Sequence, residues 1–202
     1  MLATLDPDST VSPAALVQPL ALGGTAKAHV AQARNVHDLL ARLSASGLYV
    51  DAARVMMRAL PKRYAVAWVC ECYKHDGERA PFSAGEKACL RCVESWLTDG
   101  SEPNRQAASD RAAADNYDSG AAWLAAAAGW SGGSLAPRGY AVVAPAEHLT
   151  ADGCFAALCL LAAREPSAFA VRLRGWLERA IRVFGPGNAG PAGDSAAGAT
   201  QR

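Results

Sequence analysis

The sequence predicts an all-α protein, a single compact multi-helix domain of about seven or eight helices with flexible tails. Of its 202 residues, 51% are hydrophobic, and much of that share is alanine, the strongest helix former. Apolar residues recur with helical spacing, and runs of β-branched residues are few. Proline, glycine and serine stand at the ends of the periodic segments, where helices begin and stop.

The chain divides into three parts. Residues 1–24 carry several prolines and glycines without a sustained period, which predicts an irregular N-terminal arm. Residues 25–184 form the predicted helical domain. Residues 185–202 consist largely of Gly, Pro, Ala and Ser and bury too little apolar surface to order themselves, which predicts a disordered tail.

The first predicted helix begins at Thr25 and stops at Gly47, and residues 49–60 form a second helix that packs antiparallel to it. Residues 61–75 have almost no polar face, so we expect a buried central helix. Pro61 suits its first turn, and Gly77 is placed to close its end in a left-handed conformation.

The second half of the domain begins with Ser83 and Glu86, which have the spacing of a capping box and start a helix that Gly100 ends. Residues 103–116 form a polar outer helix on which we expect Arg105 to face water. Ser119 caps a buried, alanine-rich helix over residues 120–130.

A loop over residues 131–149 separates this helix from two more, over residues 150–163 and 166–184. Long ordered loops are uncommon without a task, so this loop is a candidate functional segment. Successive helix pairs resemble a short α-solenoid only weakly, because no fixed-period repeat is present.

Charge and hydropathy exclude several classes of protein. The net charge of +1 argues against nucleic-acid binding. The longest uncharged apolar runs, residues 121–130 and 153–163, are shorter than the about 20 residues that cross a bilayer, which argues against membrane insertion. Asp6 and Asp8 lie where a signal peptide needs basic and apolar residues, so we expect a cytoplasmic protein with reduced cysteines.

Cys70, Cys72, Cys89 and Cys92 raise the hypothesis of a cysteine-ligated metal. Positions 70 and 72 are about 200° apart on a helix, however, so both cannot face one ion. We expect buried thiols that pack like small apolar residues, and no metal or cofactor.

No histidine forms a catalytic dyad with its sequence neighbour, and the sequence contains no familiar catalytic motif. The alternative of an enzyme or toxin places its site at the 131–149 loop, with His148, Asp152 and the backbone of Gly132 and Gly133. No catalytic residue is predicted.

Two segments are candidate partner-binding surfaces. Ser131, Gly132, Gly133 and Ser134 follow Trp130 in the motif Trp-Ser-Gly-Gly-Ser-Leu-Ala-Pro. The glycines either cradle an anion or allow a tight turn while Leu135 and Pro137 pack into the core.

The last helix supplies the second candidate surface, since several arginines lie opposite its apolar stripe. This arginine face is either solvated or binds an acidic partner. Its members are Arg172, Arg174, Arg179 and Arg182.

Three strings, residues 51–54, 59–63 and 65–72, together with the motif at residues 130–137, resemble an uncharacterised bacterial family of small helical proteins. The resemblance covers roughly residues 25–163. It implies a gene among those of type VI secretion, beside spike, tip and adaptor components, and implies no catalytic residue. We therefore expect a non-enzymatic adaptor or chaperone-like accessory protein that binds another protein, such as a type VI spike or effector.

Overall fold

The computed structural model describes residues 11–78, 80–136 and 139–185. These residues contain ten α-helices, one 3-10 turn over Pro166–Ala168 and no strand, which confirms the all-α fold. The α-helices are α1 Pro13–Val17, α2 Gly24–Gln32, α3 Val36–Ala45, α4 Tyr49–Ala59, α5 Lys62–Gly77, α6 Ala84–Thr98, α7 Glu102–Ala114, α8 Gly120–Gly129, α9 Leu149–Ala163 and α10 Phe169–Phe184.

The N-terminal region contains more helix than the sequence predicts. Residues 13–17 of the expected irregular arm form α1, whose Val17 is buried and which packs against α4. The single helix expected from Thr25 is two helices, because the Asn35 side chain caps α3 and accepts a hydrogen bond from the Asp38 amide at 2.8 Å. Residues 1–10 and the predicted tail from residue 186 lie outside the described residues.

Helix α5 packs against α6, α8 and α9, but it is less central than its composition predicts. Tyr64, Glu71 and Lys74 are exposed along its outer side. Gly77 lies in its last turn without a positive φ, so the predicted left-handed end is wrong. A Cβ at Gly77 would lie 2.9 Å from the Phe82 ring, so this glycine makes room for the ring.

The centre of the domain is α8, around which α5, α6, α7 and α9 pack. Nearly all of its residues are buried, and most are alanine or glycine. A Cβ at Gly129 would lie 2.7 Å from the Ser109 Cβ of α7, and a Cβ at Gly153 of α9 would lie 2.9 Å from the Ala127 Cβ. Small residues therefore set the close spacing of α7 and α9 on α8.

Two of the predicted helix caps are confirmed. The Glu86 amide donates to Ser83 Oγ at 3.2 Å, while the Ser83 amide donates to Glu86 Oε2 at 2.8 Å, which completes the capping box of α6. The Ala122 amide donates to Ser119 Oγ at 3.1 Å at the start of α8.

The helices close into a globular arrangement rather than a solenoid. In a solenoid each unit contacts only its neighbours in the sequence. Here α9 packs against α4 and α5 as well as α8, and α10 returns to pack against α3 and α4. The buried Tyr73 hydroxyl donates to the Ala157 carbonyl at 2.9 Å and fixes α5 against α9.

A buried carboxylate joins the end of α5 to the corner between α9 and α10. Asp76 is 5% exposed and accepts hydrogen bonds from Arg164, at 3.2 Å, and from Arg172. Arg164 also donates to the Pro81 carbonyl at 3.2 Å. These groups orient α10 relative to the segment that follows α5.

No single helix among the described residues is long and apolar enough to cross a membrane. One pair of segments reaches the length and apolar composition of a membrane-spanning helix only when the two are taken together. These segments are residues 149–163 and 166–184, and they are bent by 113° relative to each other.

We predict that Asp76→Asn lowers the free energy of unfolding by about 3 kcal/mol, because it leaves the Arg172 side chain, 8% exposed, with only the half-exposed Glu165 carboxylate as a countercharge. Urea unfolding followed by circular dichroism measures this change. The matched control is Glu178→Gln, which removes the exposed carboxylate 3.7 Å from Arg174 Nε and should cost less than about 0.5 kcal/mol. Equal effects of the two substitutions would contradict a special role for Asp76.

Candidate functional site

The loop between α8 and α9 is organised by Arg105, which is 5% exposed. The prediction that Arg105 faces water is wrong. Its Nε and Nη2 donate to the Glu102 carboxylate at 2.7 and 2.6 Å, and its Nη1 donates to the Gly129 carbonyl. The hydrogen bonds to Glu102 raise the pKa of Arg105 above its ordinary value. The guanidinium therefore places a positive charge at the carboxyl end of α8, where the helix dipole favours a cation.

Gly133 lies directly over this guanidinium. Its φ is +64°, a conformation that side chains disfavour, and a Cβ there would lie 2.5 Å from Arg105 Nη2. Gly132 has no atom within 4 Å of a corresponding Cβ. The two glycines of the motif thus have different roles. Of the two predictions for this motif, the arrangement supports the tight turn rather than the anion cradle.

The two serines of the motif form hydrogen bonds that hold the loop in place. Ser134 Oγ accepts hydrogen bonds from the amides of Ala136 and Val143, each at 3.0 Å, and the Leu135 amide donates to the Val143 carbonyl at 2.8 Å. Ser131 Oγ donates to the Ala128 carbonyl at 2.7 Å.

Lys62, at the start of α5, joins the two ends of the loop. Its Nζ donates to the Ser131 carbonyl at 3.4 Å and lies 3.2 Å from Glu147 Oε2. Both ends of the loop are therefore fixed to the body of the domain.

Four apolar side chains of this loop are exposed to solvent. Tyr140 and Val142 are 75% and 79% exposed, and Val143 and Leu135 are 52% and 43% exposed. We call these four residues the loop surface. The expectation that Leu135 packs into the core is wrong, and Pro137 lies outside the described residues.

The arginines of the last helix do not share one solvated face. Arg172 has a side chain only 8% exposed, bonded to Asp76 and 3.7 Å from Glu165 Oε2, so the prediction that it lies on an outer face is wrong. Arg174 is exposed beside Glu178. Arg179 is half-buried and Arg182 is exposed. Arg172 could therefore bind a partner only if it lost its ion pair with Asp76.

The groups named for an enzyme lie at or near the protein surface. His148 precedes the first residue of α9 and Asp152 lies in its first turn, and both are exposed. Two of the surface clefts among the described residues lie between α6 and the start of α8 and between α6 and α7, and neither is lined by these residues or by the two glycines.

The cysteines pack inside the domain. Cys70, Cys72, Cys89 and Cys154 are buried. Burial raises the pKa of Cys70 to about 12, and burial together with a hydrogen bond to Asp115 raises the pKa of Cys89 to about 12. Among the described residues, no three His, Cys, Asp or Glu side chains are placed to hold a metal ion.

Sequence reasoning named the 131–149 loop as a candidate surface but missed Arg105, Lys62 and the exposed apolar side chains of that loop. The Glu102 to Arg105 spacing of i, i+3 was a visible signal for an ion pair on one helix. Two adjacent valines in a loop rich in glycine and proline were a signal for an exposed apolar site. No local signal placed Arg105 at the end of α8.

The fold and this site define a small all-α domain with a pinned loop that exposes apolar side chains. The chain belongs to the family of unknown function DUF6931, whose model matches residues 39–184. The match begins within α3 and ends with the last residue of α10. Comparison with curated proteins and with solved structures found no match.

We predict that Gly133→Ala lowers the free energy of unfolding by about 2 kcal/mol, because the new Cβ combines an unfavourable φ with a clash against a buried guanidinium. Gly132→Ala is the matched control. The space beside Gly132 is open, so this substitution should be neutral or slightly stabilising. Thermal unfolding of both variants measures the difference, and identical melting temperatures would show that the turn does not rest on Arg105.

We also predict the order in which the thiols react. In native protein at pH 8, iodoacetamide should modify Cys92 before Cys70, Cys72, Cys89 or Cys154, because Cys92 is partly exposed on the cleft between α6 and α7. Mass spectrometry of peptides gives the order, and urea-unfolded protein should react at every cysteine. Modification of Cys70 as fast as Cys92 would show that α5 is not packed as described.

Proposed function

We propose that this protein is a non-enzymatic adaptor or chaperone-like accessory protein that binds a partner protein through the loop surface. The observation that carries the proposal is the exposure of Leu135, Tyr140, Val142 and Val143 on a loop that is pinned at both ends. Apolar side chains held in water in this way are typical of a surface that another protein covers.

The anchoring of the loop supports the same function. Ser134 accepts hydrogen bonds from two amides of the loop, and Lys62 contacts residues near its two ends. Contacts of this kind limit the conformations of the residues that make them, which reduces the entropy lost on binding and favours affinity. The exposed Tyr140 suits an interface, because tyrosine supplies a large contact area with a polar end.

The partner class is part of the proposal. The resemblance of residues 51–54, 59–63, 65–72 and 130–137 to proteins encoded among type VI secretion genes favours a spike or effector of such a system. A cytoplasmic location is part of the proposal.

The experiment compares three tagged forms expressed in the organism that supplies the gene. Wild type should copurify with a stoichiometric partner, identified by mass spectrometry and size-exclusion chromatography. The double variant Tyr140→Ser with Val142→Ser should lose that partner, with a loss of affinity of about tenfold or more for the purified pair, because two apolar contacts become polar.

Val171→Ser is the matched control, since Val171 is a 63% exposed valine on α10, away from the loop. This variant should keep the partner. Wild type that elutes alone would overturn the adaptor proposal. A partner retained equally by all three forms would place the contact elsewhere on the domain.

A further inference from the structure

The second half of the 131–149 loop contains an extended segment. Residues 141–146 run without a helix, turn or bend. Pro145 restricts Ala144 to extended conformations, because the proline ring clashes with a helical residue before it. This part of the loop therefore has the backbone form of a short β-strand.

The two sides of this segment differ in their hydrogen bonds. On the inner side, the Val143 amide donates to Ser134 Oγ at 3.0 Å and the Val143 carbonyl accepts from the Leu135 amide at 2.8 Å. In an extended chain, the N–H and C=O of one residue point to the same side, and those of the next residue point to the opposite side. The backbone groups of Val142 and Ala144 therefore point outward, and no described residue forms a hydrogen bond with them.

This outer side lacks the features that usually protect a strand edge, namely charged side chains and prolines. Residues 140–146 carry no charge. Pro145 has no N–H, but by the same alternation it falls on the inner side, so it removes no outward donor. The flanking side chains of Tyr140, Val142 and Val143 are 75%, 79% and 52% exposed. Outward backbone groups and exposed apolar side chains thus lie on one short segment.

We propose that the partner protein adds an extended segment to this outer side, as a strand adds to the edge of a sheet. This inference rests on the proposed adaptor function and names how the loop surface recognises its partner. The backbone groups of Val142 and Ala144 pair with those of the added segment, and neighbouring side chains contact its side chains. A charge in that segment would find no countercharge on residues 140–146, so the segment that fits is uncharged and rich in β-branched residues.

The test needs no natural partner. Its probe is the synthetic peptide Lys-Thr-Val-Thr-Val-Thr-Lys, acetylated and amidated at its ends, with the two lysines for solubility. The isotope-labelled full chain is titrated with this peptide and followed by amide NMR. We expect binding in the millimolar range, with the largest shifts at the Val142 and Ala144 amides and at least about fivefold slower hydrogen exchange there.

The control peptide has the same side chains and carries N-methyl groups on two consecutive central residues. Because consecutive amides point to opposite sides, the methyl groups block both edges of the peptide. It should bind at least about tenfold more weakly. Equal binding of the two peptides would overturn the proposal, as would the absence of binding up to about 10 mM or shifts confined to another part of the domain.

Two variants at one exposed position separate the backbone from the side chain. Val142→Pro removes an outward amide and should weaken peptide binding about fivefold or more, whereas Val142→Thr keeps the amide and the β-branched shape and should stay within about twofold of wild type. Equal binding by these two variants would count against strand pairing. The methylated peptide tests the same point without any change to the protein.

These results are separable from those for the adaptor function. A protein that binds the peptide but copurifies with no partner would have an edge that accepts a strand and no adaptor role. A protein that retains a partner but ignores the peptide would keep the adaptor function and refute strand pairing.

Discussion

The arrangement of this domain depends on the close packing of α5, α6, α7 and α9 around α8. A helix composed mostly of alanine and glycine has little side-chain bulk, so its neighbours approach its backbone. The contacts of Gly129 with Ser109 and of Gly153 with Ala127 leave no room for another methyl group. Dispersion contacts at this spacing are numerous, and together they hold the surrounding helices in place. The ends of α8 are positioned by the same packing.

Two buried ionic groups then specify how the outer segments join this centre. Arg105 ties the first turn of α7 to the last carbonyl of α8, and Asp76 ties the end of α5 to the α9 and α10 corner. An arrangement that separated either pair would leave a charge unpaired in the interior, so both pairs disfavour other placements of these segments. Gly133 rests on Arg105 at the start of the loop, and the described residues that follow include the four exposed apolar side chains of the loop surface.

The loop surface follows the end of α8 directly. Trp130 follows the last residue of α8 and packs against Tyr117 and Trp123, and the next residue, Ser131, begins the loop that carries the loop surface. A well-packed helix below a site holds its side chains in a defined geometry, which reduces the entropy lost on binding. The family match covers α4 to α10 in full, so it includes α8, both buried ionic groups and the loop surface.

The sequence by itself determined the all-α class, most helix boundaries and the caps at Ser83 and Ser119, because periodicity and capping act over a few neighbouring residues. It also singled out the Trp-Ser-Gly-Gly motif, though not the reason for it. Tertiary structure alone decided that Arg105 and Arg172 turn inward, that Gly133 rather than Gly132 is constrained, and that α8 rather than α5 is the centre. Arg172 meets Asp76 across 96 positions of sequence, and Arg105 meets Gly129 across 24. Such pairings depend on how whole helices pack, and no local pattern encodes them.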